Sequence, residues 1–225
     1  MSPLCNSRAV ANGAPSPVEL RRRIAAGERF YEAGSGRDTI FALRAGFAQV
    51  SLDDGHGTHV VRFLLPGDAA GLDSFAGGAH RTETIALEDC EVCVIPAYRT
   101  ELLGRYSEAT CVRMRELLSI QLAEAESHAA MLARLTAPQR VARFLLDLSR
   151  RWADRGYSST HYKLPMGRRA IGQHLALTTE TVSRMLSDFQ AKSWVDLPWR
   201  EVRILGMEKL REVLAGTPEG KAHQQ

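Results

Sequence analysis

Four cysteines in 225 residues, at positions 5, 90, 93 and 111, are too few and too scattered for the disulfide framework of a small secreted protein. No run of about eighteen apolar residues occurs, so a membrane-spanning helix is not expected. The start, Met1-Ser2-Pro3-Leu4-Cys5-Asn6-Ser7, has no basic flank leading into an apolar core, so no signal peptide is expected and a cytoplasmic protein is. Also missing are G-x-S-x-G, H-E-x-x-H, a P-loop and a dinucleotide fingerprint. The carboxylates Asp53, Asp54 and Asp73 fall in turns without partners legible in the sequence, so no enzyme is expected.

What is present is an ordinary globular composition, 44% apolar and 24% charged, with the charge divided unevenly. Residues 138–225 hold 15 Lys and Arg against 9 Asp and Glu, whereas the remainder holds 14 against 17. The C-terminal part is therefore the part suited to a polyanion.

Residues 1–17 are small, polar and twice interrupted by proline, and read as a disordered arm. From Glu28 to Ile95, short apolar runs alternate with turns. Thr39–Arg44, Phe47–Leu52, Thr58–Leu65, Thr82–Leu87 and Glu91–Ile95 read as strands of an antiparallel barrel or roll. From Tyr98 to Leu135 the period lengthens. Cys111, Met114, Leu118, Leu122, Ala125, Ala129 and Leu132 recur three or four apart, placing one narrow apolar seam on a long helix. Such a seam fits a second copy of the chain or the chain's own barrel, and small residues at Ala125 and Ala129 favour the second copy. Thr136-Ala137-Pro138 opens an amphipathic helix ending near Gly156, and Lys163–Met166 reads as extended.

The chemistry-bearing segment follows. Gly167–Leu175 reads as a short helix, Ala176-Leu177-Thr178 as a tight connection, and Thr179–Gln190 as a second helix capped by Thr178. Ile171, Leu175, Val182, Leu186 and Phe189 lock the pair together. Thr179, Glu180, Ser183 and Arg184 then project outward, as base-reading side chains do on a recognition helix. Arginine can donate two hydrogen bonds to guanine and glutamate can accept from cytosine, although Glu180 and Arg184 are also spaced for a surface ion pair. Ser193–Leu197, a Pro198–Glu201 turn and Val202–Leu205 form a wing. Arg168, Arg169, Thr178, Lys192 and Arg200 are the candidate phosphate contacts.

The stretch LPMGRRAIGQHL…LTTETVSRML resembles the cyclic-AMP receptor/fumarate-nitrate-reduction regulator (CRP/FNR) family. AGERFYEAGSGRDTIFALRAGFAQV, FLLPGDAAGLDSFAGG and ALEDCEVCVIP resemble its sensor barrel. The resemblance spans roughly residues 20–215 and implies an α+β chain. Its parts would be an arm (1–17), an N-terminal antiparallel β-roll of cupin-like effector type (18–104), a dimerisation helix (105–136), a winged helix-turn-helix (137–216) and a tail (217–225). Glu180, Ser183 and Arg184 resemble the fumarate-nitrate-reduction branch, which implies a homodimer on a TTGAT-N4-ATCAA inverted repeat. Arg184 would then hold the guanine, Glu180 its paired cytosine and Ser183 the outer thymine region. Double-stranded DNA is the implied partner, with RNA polymerase if the protein activates. Ala176 stands where the family commonly has glycine.

The signal stays open. Gly71-Leu72-Asp73 and Arg81-Thr82 only partly match the family's cyclic-nucleotide pocket. Cys93 matches the barrel ligand of an iron–sulfur branch, but its N-terminal cysteine trio is absent, so a four-iron cluster is not expected. Cys90 and Cys93 point to opposite faces of a strand, so a disulfide between them is not expected and they read as small buried residues of the barrel, with a Cys5–Cys93 redox contact or a non-cluster thiol sensor as the alternative. His56, His59 and His80 are nominal haem ligands that read as solvated. A barrel with no effector, serving only as a scaffold, is the further alternative.

Overall fold

The computed structural model describes residues 20–36, 39–73, 78–96 and 108–216. The expected arm, the expected tail and Cys5 lie outside them. The chain divides into two units, 1–125 and 126–225, and each is described by itself.

In the first unit, eight strands form two four-stranded sheets: β1 (Leu20–Ile24), β2 (Arg29–Tyr31), β3 (Thr39–Ala45), β4 (Ala48–Asp53), β5 (Thr58–Leu64), β6 (Ala69–Ala70), β7 (Glu83–Ala86) and β8 (Cys90–Pro96). The orders are β1-β8-β3-β6 and β2-β7-β4-β5, all pairs antiparallel. Phe41, Leu43, Cys90 and Val92 from one sheet meet Phe30, Val50, Leu64 and Ala86 from the other in a single core. The far face of the first sheet carries Ile40, Ala42, Cys93 and Ile95, against which Met114 and Leu117 of the following helix pack. A sheet covered on both faces needs apolar residues at successive positions. That is why β3 and β8 read as near-continuous apolar runs.

β1 escapes the periodicity because four of its five residues, Leu20 to Arg23, are exposed. β2 and β6 are too short to show a period.

Helix α1 (Glu108–Arg134) runs from the first unit into the second. Two residues later, the second unit continues with α2 (Ala137–Ala153), β9 (His161–Lys163), α3 (Arg168–Leu175), α4 (Thr179–Ala191), β10 (Val195–Asp196), β11 (Glu201–Ile204) and α5 (Met207–Ala215). At the start of α2 the Gln139 side chain accepts from the Thr136 N–H at 2.9 Å, and the helix buries Val141, Phe144, Leu145, Leu148 and Trp152. The extended piece expected at Lys163–Met166 lies two residues earlier, at β9. It pairs with β11, and β11 with β10, as the three-stranded wing sheet. Tyr162 on β9 donates its hydroxyl to Leu145 O at 2.8 Å, tying that sheet to α2. Helix α5 had no counterpart in the sequence reading.

Candidate nucleic-acid interface

Helices α3 and α4 pack through Ile171, Gly172 and Leu175 on one and Val182, Leu186 and Phe189 on the other. The connection is tight because Ala176 takes a left-handed conformation, φ 51° and ψ 48°. The Leu177 N–H reaches back to Gly172 O at 2.9 Å. A Cβ at position 172 would stand 2.6 Å from Leu177 O, so the turn closes only over glycine. Thr178 then caps α4, its hydroxyl oxygen accepting from Thr181 N at 3.1 Å and donating to Thr181 Oγ1 at 2.9 Å.

Capping fixes which side chains leave the first turns of α4. Thr179, Glu180 and Arg184 are exposed and Ser183 is half-buried, its hydroxyl donating to Thr179 O at 2.9 Å. Among the described residues Glu180 and Arg184 form no ion pair, with each other or elsewhere. The surface-pair reading of that spacing therefore falls away, and both charged groups face solvent. Arg169, Lys192 and Arg200 are exposed as well. Arg168 is half-buried, and burial pulls its guanidinium below the usual arginine value while leaving it the cation it always is in proteins. Lys192 lies 4.6 Å over the Trp194 ring, where the chain leaves α4 for the wing.

The sequence reading missed Arg140. From α2 it donates to Leu132 O (2.7 Å) and Leu135 O (2.9 Å) at the end of α1, and to Leu175 O (2.9 Å) beside the left-handed turn. One guanidinium thus ties the last turn of α1 to the helix-turn-helix. No local pattern announces such a residue, because its acceptors come from two other segments.

In the first unit, Asp73 is not the unpartnered turn carboxylate the sequence implied. It accepts from Arg81 N (2.8 Å), Thr82 N (3.0 Å) and Thr82 Oγ1 (3.0 Å), and His80 Nδ1 lies 3.3 Å away. Burial opposes its ionisation, but those hydrogen bonds outweigh it and hold the carboxyl below the usual range. Asp53 and Asp54 also have partners, the Gly55 and His56 N–H groups of their turn. His80, expected to be solvated, is 2% exposed and stacked on Tyr31 at 3.9 Å between centroids. The Tyr31 hydroxyl meets Thr82 Oγ1 at 3.0 Å, completing the cluster. His56 and His59 are exposed, as expected.

Cys90 and Cys93 are buried in different clusters on opposite faces of their sheet. Cys90 is a free thiol, and burial pushes it up to about 11. Cys93 is disulfide-bonded. Of the expected helix seam, Met114 is turned to its own barrel, while Leu118, Leu122, Ala125 and Ala129 are exposed and Cys111 and Leu132 are half-buried. No helix among the described residues is long and apolar enough to cross a membrane.

Residues 139–213 match the Crp-like helix-turn-helix domain, and residues 21–103 match the cyclic nucleotide-binding domain. The chain is 34% identical over 198 residues to the transcriptional regulatory protein btr of Bordetella pertussis, covering 88% of this chain and 82% of that protein. It is 31% identical to the transcriptional activator protein Anr of Pseudomonas protegens, covering 90% and 84%. Among solved structures, FixK2 from Bradyrhizobium japonicum superposes with a TM-score of 0.79 at 28% identity, over 86% of this chain and 96% of that one.

Proposed function

The chain belongs to the CRP/FNR family of DNA-binding transcription regulators, and from that premise we propose that it reads an inverted repeat of TTGAT type as a homodimer. The observation carrying the proposal is the pair of unpaired, exposed charges, Glu180 and Arg184, one turn apart on the capped start of α4. Arg184 donates to guanine O6 and N7, Glu180 accepts from the paired cytosine, and Ser183 with Thr179 meets the outer thymine region. Arg168, Arg169, Lys192 and Arg200 hold phosphates. The Thr178 hydroxyl is committed to its cap, so the phosphate contact at that position comes through the free N–H groups of the first helical turn. The exposed stretch Leu118, Leu122, Ala125 and Ala129, with Leu132 and Cys111 at its margins, is the surface offered to a second copy, and Met114 supports it from the barrel side. A relative named as a transcriptional activator supports RNA polymerase as a further partner.

The signal we infer is not a cyclic nucleotide. A cyclic phosphate needs N–H and hydroxyl donors, and here Arg81 N, Thr82 N and the Thr82 hydroxyl already serve an internal carboxylate that would repel a second anion. Nor do the described residues suit an iron–sulfur cluster. Cys90 and Cys93 face opposite sides of one sheet, and no group of three or more His, Cys, Asp or Glu gathers among the described residues. Thiol oxidation is favoured by a specific observation: Cys93 is disulfide-bonded, and a Cys5–Cys93 contact is the redox pair suggested by the sequence.

Titration of the protein, with and without a reductant, on a TTGAT-N4-ATCAA duplex against a scrambled duplex tests both readings. Sequence-specific binding that changes with reductant supports them, and specific binding indifferent to reductant sinks the thiol signal alone. The Arg184→Ala variant should lose discrimination at the guanine, by roughly 1–3 kcal/mol. An equal loss on every sequence would make Arg184 a phosphate contact.

A further inference from the structure

Two imidazoles lie face to face beside the helix-turn-helix. His128 on α1 and His174 on α3 stack at 4.4 Å between centroids, with 24° between their planes, and Phe144 of α2 stands tilted against His174 at 5.9 Å. Both histidines are half-buried. Neither belongs to the apolar set that locks α3 to α4. Their contact joins the last turns of α1 to the last turn of α3, two residues before the left-handed Ala176.

The same end of α3 is held from a second side. Arg140 donates to Leu175 O at 2.9 Å and to Ala176 O at 3.4 Å. A guanidinium keeps its charge throughout, whereas an imidazole changes charge near its ordinary value of about 6.5. Helix α3 is therefore fastened by one tie that ignores pH and one contact that can titrate.

The groups around His128 decide which form folding favours. From α2, Arg143 donates to Asp147 at 3.0 Å and to the Ser127 hydroxyl, beside His128, at 2.7 Å, and Arg140 bonds to the end of α1. On α1 Glu124 stands one turn earlier, and from α3 His174 faces the ring. Burial is the strongest influence and favours the neutral imidazole. The Asp147 charge and a hydrogen bond to the His174 backbone favour the proton without overcoming burial, so His128 titrates below the ordinary histidine value. The neutral contact is complete above about pH 6.5 and is lost as pH falls from there through the lower folded value. A proton on His128 sets a cation against a second imidazole with two arginines nearby, which works to part α1 from α3.

We propose that His128 is a positioning residue for DNA reading: its neutral ring seats the end of α3 on α1, and its protonated ring unseats it. Helices α3 and α4 pack as one piece, so unseating α3 displaces the start of α4 while Arg140 keeps the segment attached. Base contacts, which need exact placement, are then lost before phosphate contacts. The inference rests on the DNA reading of α4 proposed above, and the experiment separates the two.

Affinity for the TTGAT-N4-ATCAA duplex is divided by affinity for a scrambled duplex, at about pH 7.5 and about pH 5.5. The ratio cancels any general gain in DNA binding as exposed histidines such as His161 become charged. For the parent it should fall about tenfold between the two conditions. His128→Gln and His128→Phe cannot take the proton. Both should match the parent at the higher pH and change by less than about twofold at the lower. Thermal melting should show the parent still folded at the lower pH.

A parental ratio that is flat with pH overturns the inference. So does a fall that both variants share, which assigns the effect to another group, and so does unfolding of the parent at the lower pH. Loss of discrimination by both variants at the higher pH also overturns it, by leaving the ring a purely structural role. Absence of discrimination by the parent at the higher pH removes the reading of α4, and this inference with it.

Discussion

Ala176 sits at φ 51° and ψ 48° with a side chain that disfavours that region by about 1 kcal/mol relative to glycine. Its neighbour Gly172 admits no Cβ, so the turn is fixed by one residue that must be glycine and one that tolerates strain. Ala176→Gly should therefore raise the melting temperature by roughly 2–4 °C in a chain of this length and leave DNA discrimination unchanged. A melting temperature that falls would mean that glycine's freedom in the unfolded chain outweighs the relief of strain. The left-handed turn was foreseeable from the sequence, because an alanine stood where a resemblance placed glycine. The requirement at Gly172 was not, since it arises from a carbonyl that reaches the position only after the turn has closed.

Helix α1 has a split character. Met114 and Leu117 cover the outer face of a barrel sheet, whereas Leu118 and Leu122 remain 44% and 62% exposed. On a helix, residues three and four apart share a face, so one seam in the sequence serves two surfaces as the helix turns. Leu122→Glu should weaken self-association at least tenfold in sedimentation experiments while barely changing thermal stability, because the side chain touches little within its own chain. Met114→Glu should lower stability, since it places a charge against Ile40, Ala42 and Cys93. Unchanged self-association in the Leu122 variant would remove this surface as the dimer interface. The period of the helix was legible from sequence, but the division between barrel side and free side needed the packed barrel.

Across the β-roll, acid sensitivity should centre on Asp73. Its carboxyl is held below the usual range, so its charge stabilises the folded state fully above the ordinary carboxylate value of about 3.9. That contribution is lost as pH falls from there through the lower folded value. Asp73→Asn should thus melt below the parent at neutral pH, and the gap should narrow below about pH 4. A gap constant with pH would show that the ionised form is not what the cluster requires. The cluster links residues 31, 73, 80 and 82, drawn from the end of β2 and the connection between β6 and β7, and His80 becomes buried only because Tyr31 and Asp73 close around it.

The sequence by itself determined the elements whose signals are local. The short apolar runs of β3, β4, β5, β7 and β8, the three-four spacing of α1 and the capped pair α3–α4 each depend on residues within a few positions of one another, and all appear where expected to within a few residues. The tertiary structure alone decided what depends on segments far apart in the chain: the pairing of exposed β1 with β8, the guanidinium of Arg140 between α1 and the turn, and the burial of His80. The same holds for the solvent-facing freedom of Glu180 and Arg184. A side chain's partners are set by what the rest of the chain brings to it, and spacing along the sequence carries no record of that.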